Sequence, residues 1–201
     1  MQHKGAMVSG ITKLPLKPAF LLVFTIAAFA QAPHTLDITL DPSSTTVHWT
    51  LEDVLHTVHG TFRLKKGLIH YDPLTGNATG LIEIDATSGE SGSSARDQKM
   101  HKDILNSSQY QTVTFRPSHV EGNFDQAAQG NFAVDGVFNL HGQEHPMKMK
   151  VSTHPQATGI ALAAHFEVPY VQWGLKDPST FVLRVDKEVS IDVEGLAHVT
   201  P

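Results

Sequence analysis

Histidine is the residue type that first suggests chemistry in this chain. There are thirteen, and an imidazole can hold a metal or move a proton near neutral pH. Spacing narrows what they can do. His56 and His59 stand three apart, which in a strand places them on opposite faces. His141 and His145 flank a turn followed by Pro146, so their rings can converge. Neither pair has a carboxylate at ligand spacing, and no HExxH-type motif occurs. A zinc or nickel site is one reading; surface residues on polar strand faces are the plainer one. The chain has no cysteine, which excludes disulfides, thiolate metal sites, iron–sulfur clusters and a thiol nucleophile. A GxSxG elbow, a phosphate-cradling glycine loop and a dinucleotide fingerprint are all missing. Arg96 could meet an anionic group, although Asp97 and Glu90 are ready partners for it. Paired carboxylates acting as acid and base cannot be read from sequence alone, so an enzyme working on an amphiphile stays open.

Charge adds a further exclusion. Fifteen basic and 20 acidic side chains give a net charge of −5. Three of the basic ones, Lys4, Lys13 and Lys17, precede the first acidic residue, Asp37, so the remainder is more acidic still. Such a chain does not collect phosphate backbones, which argues against nucleic acid as a partner. The same N-terminal lysines precede an apolar run, Ala19 to Ala30, that ends in Ala28-Phe29-Ala30. A cationic segment, about a dozen apolar residues and a small-x-small end describe a signal peptide. The run is shorter than the about 20 residues of a membrane span. The expected organisation is therefore a leader over 1–30 and a single domain over 31–201, delivered to the periplasm or secreted, with no stable membrane span after cleavage.

The elements that must position any site are strands. Val47, Trp49 and Leu51 alternate with polar residues, as do Ile82 and Ile84, Met147 to Val151, Ile160 to Val168 and Val189 to Val193. Period-two alternation marks strands that bury one face and wet the other. Turn chemistry separates them at Asp72-Pro73, Thr75-Gly76-Asn77, Glu121-Gly122-Asn123, His141-Gly142-Gln143 and Asp177-Pro178. Asp135-Gly136 resembles a hairpin signal, but the apolar phase of Phe132, Val134, Phe138 and Leu140 runs through it. A bulge or barrel bend fits better there. One short helix near 95–105 interrupts the pattern: Ser94 and Asp97 form a box-like start, Met100, Ile104 and Leu105 share a face, and Asn106 can close it. The helix is either a plug for one end or a plain packed connection. The fold class is all-β, an antiparallel barrel or sandwich of about eight strands.

A barrel of that size is filled by side chains or holds one ligand. The residues on the inward parity are Phe62, Leu64, Ile82, Ile84, Phe115, Val134, Phe138, Met149, Leu162 and Phe166. Met100 and Ile104 of the helix, and Trp173, complete the candidate binding set. Small residues on the same parity, Gly80, Ala86, Gly136 and Ala164, reduce bulk and favour a hollow interior. An exposed strand edge near the loops would allow a homodimer.

Several segments, in order, resemble the YceI-like proteins over about Leu36 to Val199. They are Asp41-Pro42-Ser43-Ser44 leading to Val47 and Trp49, Val58-His59-Gly60-Thr61-Phe62, Gly67-Leu68-Ile69 with Asp72-Pro73, and Ile82 to Ala86 leading to Arg96-Asp97. Val113-Thr114-Phe115, Gly136 to Gly142 with Pro146, Trp173-Gly174-Leu175 and Val189 to Val193 follow. Ile104-Leu105-Asn106-Ser107 departs from the aromatic, acidic stretch usual in the family. The resemblance implies a secreted, antiparallel lipocalin-like β-barrel that holds an isoprenoid-like or other amphiphilic lipid without catalysis. It implies no cofactor.

Overall fold

The computed structural model describes residues 35–201 apart from Asn123; the leader expected at 1–30 lies outside the described residues. Nine strands follow in order: β1 (Leu36–Leu40), β2 (Thr46–Glu52), β3 (Thr57–Tyr71), β4 (Ala78–Glu90), β5 (Thr112–Glu121), β6 (Gly130–Leu140), β7 (Gln143–Gln156), β8 (Gly159–Val168) and β9 (Val189–Thr200). Between β4 and β5 lies helix α1 (Ser94–Lys99), extended by a wider π-helical turn over Met100–Ile104.

Nine strands make eight positions. β1 lies against Tyr71–Gly67 of β3 and Thr200–Ala197 of β9. β2 continues along the same two partners, against Arg63–Thr57 and Glu194–Ser190. The two are one interrupted staff, broken at Asp41-Pro42, where proline has no N–H to give a ladder. Asp41 stabilises the break: its carboxylate accepts from the Ser43 amide at 2.9 Å and the Ser44 hydroxyl at 2.8 Å. From this position the antiparallel ring runs through β9, β8, β7, β6, β5, β4 and β3 and closes on itself. At the seam between β4 and β5 the ladder is short, pairing Ile82–Asp85 with Thr112–Phe115, with one further bridge between Asn77 and His119.

Local irregularities shape the ring. β6 runs without a break through Asp135-Gly136, as the apolar phase requires. The matching irregularity lies on the opposite strand, where the β5 register shifts between Pro117 and His119. A Cβ on Gly136 would stand 2.4 Å from both the Phe115 ring and the Arg116 carbonyl oxygen. Glycine therefore gives Phe115 its place in the wall. The β6–β7 connection is a two-residue hairpin with His141 and Gly142 both at positive φ, 54° and 78°, the geometry that suits a twisted ribbon. The helix departs from its expected start. Ser93 stands at the cap and makes no side-chain bond. Asp97 reaches past it, its Oδ1 accepting from the Ser91 amide at 2.8 Å and the Ser91 hydroxyl at 2.5 Å. Asn106, at φ 43°, ends the segment as anticipated.

Several turns are built on ionised carboxylates. Asp72 is held below the usual carboxylate range first by the Thr75 hydroxyl and then by the Leu74 amide; Asp41 is held down first by the Ser44 hydroxyl. A group whose pKa is lower folded than unfolded contributes stability above its unfolded value, here 3.8, and loses it as pH falls through the folded value. Thermal unfolding followed by circular dichroism should therefore show a Tm that drops below about pH 4. Asp72→Asn should lower the Tm at neutral pH and flatten that acid limb.

Candidate functional site

The barrel is hollow. Its interior holds a cavity of about 450 Å³, inside the roughly 300–1,000 Å³ range of small-molecule sites. The wall comes from the inward parity of every strand position. Val47, Trp49 and Leu51 of β2, Ile82 and Ile84 of β4, Val134, Phe138 and Leu140 of β6, and Ile160 to Val168 in alternation on β8 all line it. Its floor is aromatic. Tyr71, Phe124 and Phe132 meet edge to face, with ring centres 5.8 Å apart in each pair. All three line the cavity at the end away from the helix.

The other end is capped by side chains from three segments. Met100, Ile104 and Leu105 of the helical segment line the cavity, so the helix covers the mouth. His101 braces this lid. Its Nε2 lies 2.9 Å from the Gly89 carbonyl oxygen and its Nδ1 2.9 Å from the Ser107 hydroxyl. In the tautomer that fits, Nε2–H donates to Gly89 and Nδ1 accepts from Ser107. The long 169–188 connection supplies Tyr170, Leu175, Pro178, Leu183 and Val185 to the lining. It is fixed by the Tyr170 hydroxyl, which donates to the Asp186 carbonyl oxygen at 2.6 Å. Burial first, then the nearby Asp177 and Asp186 carboxylates, pushes the Tyr170 phenol up to about 12, so it keeps its proton. The charged lining residues, Glu52, Asp53, Arg96 and Lys99, all belong to this capped end. The site is thus an apolar sleeve with a charged rim at one end.

Twelve of the thirteen candidate residues line this cavity: Phe62, Leu64, Ile82, Ile84, Met100, Ile104, Phe115, Val134, Phe138, Met149, Leu162 and Phe166. Trp173 stands behind the wall. Its indole stacks on His145 with ring centres 4.0 Å apart and planes 3° from parallel, and leans on Phe138 at 5.7 Å. Sequence reading did not place Trp49, Tyr71, Phe124 and Phe132 in the site, nor the residues of the 169–188 connection, which carries no period to betray it, nor the rim charges, which alternation assigns to solvent.

The chain matches the YceI-like domain family over residues 38–197. It belongs to that family. Among solved structures, BcnA of Burkholderia cenocepacia superposes with a TM-score of 0.63 at 15% identity, covering 81% of this chain and 99% of that one. A polyisoprenoid binding domain from Saccharophagus degradans gives 0.56 at 12%, covering 81% and 98%. The YCEI protein of Campylobacter jejuni gives 0.58 at 14%, covering 73% and 87%. No curated protein sequence matches the chain. At these identities the structural likeness speaks for the fold.

Within this YceI-like barrel the family departure at Ile104-Leu105-Asn106-Ser107 has a clear role. Ile104 and Leu105 close the apolar mouth, and Ser107 anchors His101. Several histidines serve as structural partners on the outer surface. His70 Nδ1 meets Asp37 at 2.6 Å and His165 Nδ1 meets Asp192 at 2.7 Å. His141 meets the Tyr110 ring at 4.0 Å, tilted by 42°, while His145 stacks on Trp173, so the pair considered for a metal is divided between two aromatic neighbours. Among the described residues no three His, Asp or Glu side chains gather at metal-binding distance. Arg96 donates to the Ser91 hydroxyl at 3.2 Å rather than pairing with Asp97, whose Oδ1 is taken by Ser91.

Among the described residues, three buried polar atoms on lining residues have no hydrogen-bond partner: Trp49 Nε1, Thr45 Oγ1 and Thr153 Oγ1. Trp49 owes its position to Gly60, where a Cβ would stand 2.2 Å from the Glu90 carbonyl oxygen and 2.4 Å from the indole. A hollow wall also predicts unusual tolerance. Ala164→Phe, aimed into the cavity, should leave the Tm within a few degrees of the parent in a calorimetric scan. A filled core would lose about 1–3 kcal/mol to the same overpacking.

Proposed function

We propose that this protein is an exported, non-catalytic carrier that holds an isoprenoid-like or other amphiphilic lipid in its barrel, in envelope lipid handling or stress response. The observation that carries the reading is the polarity of the cavity: a long apolar sleeve whose charged lining residues all stand at one end. That arrangement suits a molecule with an apolar tail and a polar head. The name of the Saccharophagus degradans neighbour, a polyisoprenoid binding domain, points the same way. Residues 1–30, read as a leader, supply the export, and 31–201 the single working domain.

The physics of such a carrier follows from area. Each apolar Å² removed from water contributes about 25 cal/mol, or about 0.8 kcal/mol per methylene. Affinity should therefore rise about fourfold per methylene until the sleeve is full. From Val58 near the mouth to Tyr71 at the floor the lining of β3 spans thirteen residue steps, roughly 43 Å at the strand rise. Strand tilt in a barrel shortens that to roughly 30–35 Å along the axis. A longer tail must fold back or emerge. The wall discriminates weakly between tails differing by one methylene, about 1–3 kcal/mol, so head chemistry and length decide selection. The candidate contacts are the twelve lining residues named above.

Native mass spectrometry of the exported protein, purified without detergent or nickel resin, tests the reading directly. An added mass that extracts into organic solvent as an isoprenoid-like molecule is the expected result. A bare chain that also fails to take up added prenyl lipids would overturn it.

A further inference from the structure

The rim of the mouth carries four large apolar side chains turned out to water. Val54 and Leu55 are each 71% exposed, Phe181 101% and Val182 87%. They are two adjacent residue pairs, and each pair occupies the centre of a tight turn. The Asp53 amide donates to the His56 carbonyl at 2.9 Å around Val54-Leu55, and the Thr180 amide donates to the Leu183 carbonyl at 2.8 Å around Phe181-Val182. Central turn positions ordinarily take glycine, proline, asparagine, aspartate or serine. Here both turns present bulky hydrocarbon instead.

The two turns stand side by side. The Val54 amide donates to the Arg184 carbonyl at 3.2 Å and the Asp186 amide to the Glu52 carbonyl at 2.9 Å, with Asp53 and Val185 bridged between them. The same two loops also line the cavity, through Leu51, Asp53 and Val58 on one side and Pro178, Leu183 and Val185 on the other. Neighbouring residues thus alternate between facing the lipid sleeve and pointing away from the protein, so the apolar tips are continuous with the mouth.

We propose that Val54, Leu55, Phe181 and Val182 are a bilayer-docking tip, which seats the mouth against a lipid surface so that the amphiphile passes between membrane and barrel without crossing water. The route for the cargo rests on the proposed carrier function; the docking itself does not. Shape and area select a lipid surface over a protein. Four side chains on two protruding turns fall short of the about 800 Å² per partner of a stable protein interface. They suit shallow insertion, about 5–10 Å, into the boundary between headgroups and acyl chains. Charge selects no particular headgroup, because Arg184 and Lys187 share these loops with Glu52, Asp53, Asp186 and Glu188. The attraction is apolar, and salt should change it little.

Sedimentation with phosphatidylcholine vesicles, with and without phosphatidylglycerol and at low and high salt, tests this on the exported protein with its N-terminus fixed by mass spectrometry. The parent should bind both vesicle types to a similar extent at either salt. Phe181→Ser with Val182→Ser should reduce the partition coefficient at least about tenfold. Adding Val54→Ser and Leu55→Ser should reduce it further. Both variants should melt like the parent, since these side chains bury nothing. Uptake of a prenyl lipid dispersed in dilute ethanol should be unchanged, while its transfer from vesicles should slow. Equal vesicle binding by parent and variants would overturn the proposal. So would a parent dimer that the variants dissolve, seen by sedimentation equilibrium without vesicle binding, which would make a second copy of the chain the true occupant. Docking without any prenyl uptake would sink the carrier reading and leave the tip standing.

Discussion

A closed ring of backbone hydrogen bonds is the constraint on which the rest of this structure depends. Eight positions pair around the circuit, the first of them shared by β1 and β2. Because the ring pairs the strands all the way round the circuit, the fold does not require its interior to be filled. The open space forgoes packing contacts that the wall, the aromatic floor and the carboxylate-capped turns offset.

Much of the barrel was legible in the chain. Alternation placed the inward residues of β2, β4, β6, β8 and β9 because period two is a local property of extended backbone. The unbroken phase across Gly136 carried β6 through a false turn signal, and Asn106 marked the end of the helical segment. What the sequence concealed depends on contacts between distant residues. The β3–β4 register shifts at Thr61/Arg63 and Leu64/Lys66 arise from pairing, not from either strand alone. Asp97 serves Ser91 instead of Ser94 because a flexible stretch folds back onto the helix entrance. Leu175, Pro178 and Leu183 reach the cavity through a loop tied by the Tyr170 hydroxyl to Asp186 and by backbone bonds to the β2–β3 turn. Trp173 is aromatic and near the mouth, yet it packs behind Phe138 because His145 offers it a parallel ring.

The histidines illustrate how composition can mislead. Their abundance suggests a metal, but several of them are spread over separate duties: a lid brace at His101, carboxylate pairs at His70 and His165, aromatic contacts at His141 and His145. Imidazole suits all three because it combines a flat face with one donor and one acceptor. In a chain of only 15 lysines and arginines, it also lends outward strand faces polarity without a permanent charge.

The floor of Tyr71, Phe124 and Phe132 has a consequence for traffic. A tube open at both ends lets a guest pass through and lets the next push it out. A cul-de-sac does not. On the carrier reading, an amphiphile goes into this one tail foremost and backs out along the same path, so its head is the last part to be claimed and the first to be surrendered. Newcomers must queue for a vacancy, and the residence of one guest sets the waiting time of the next.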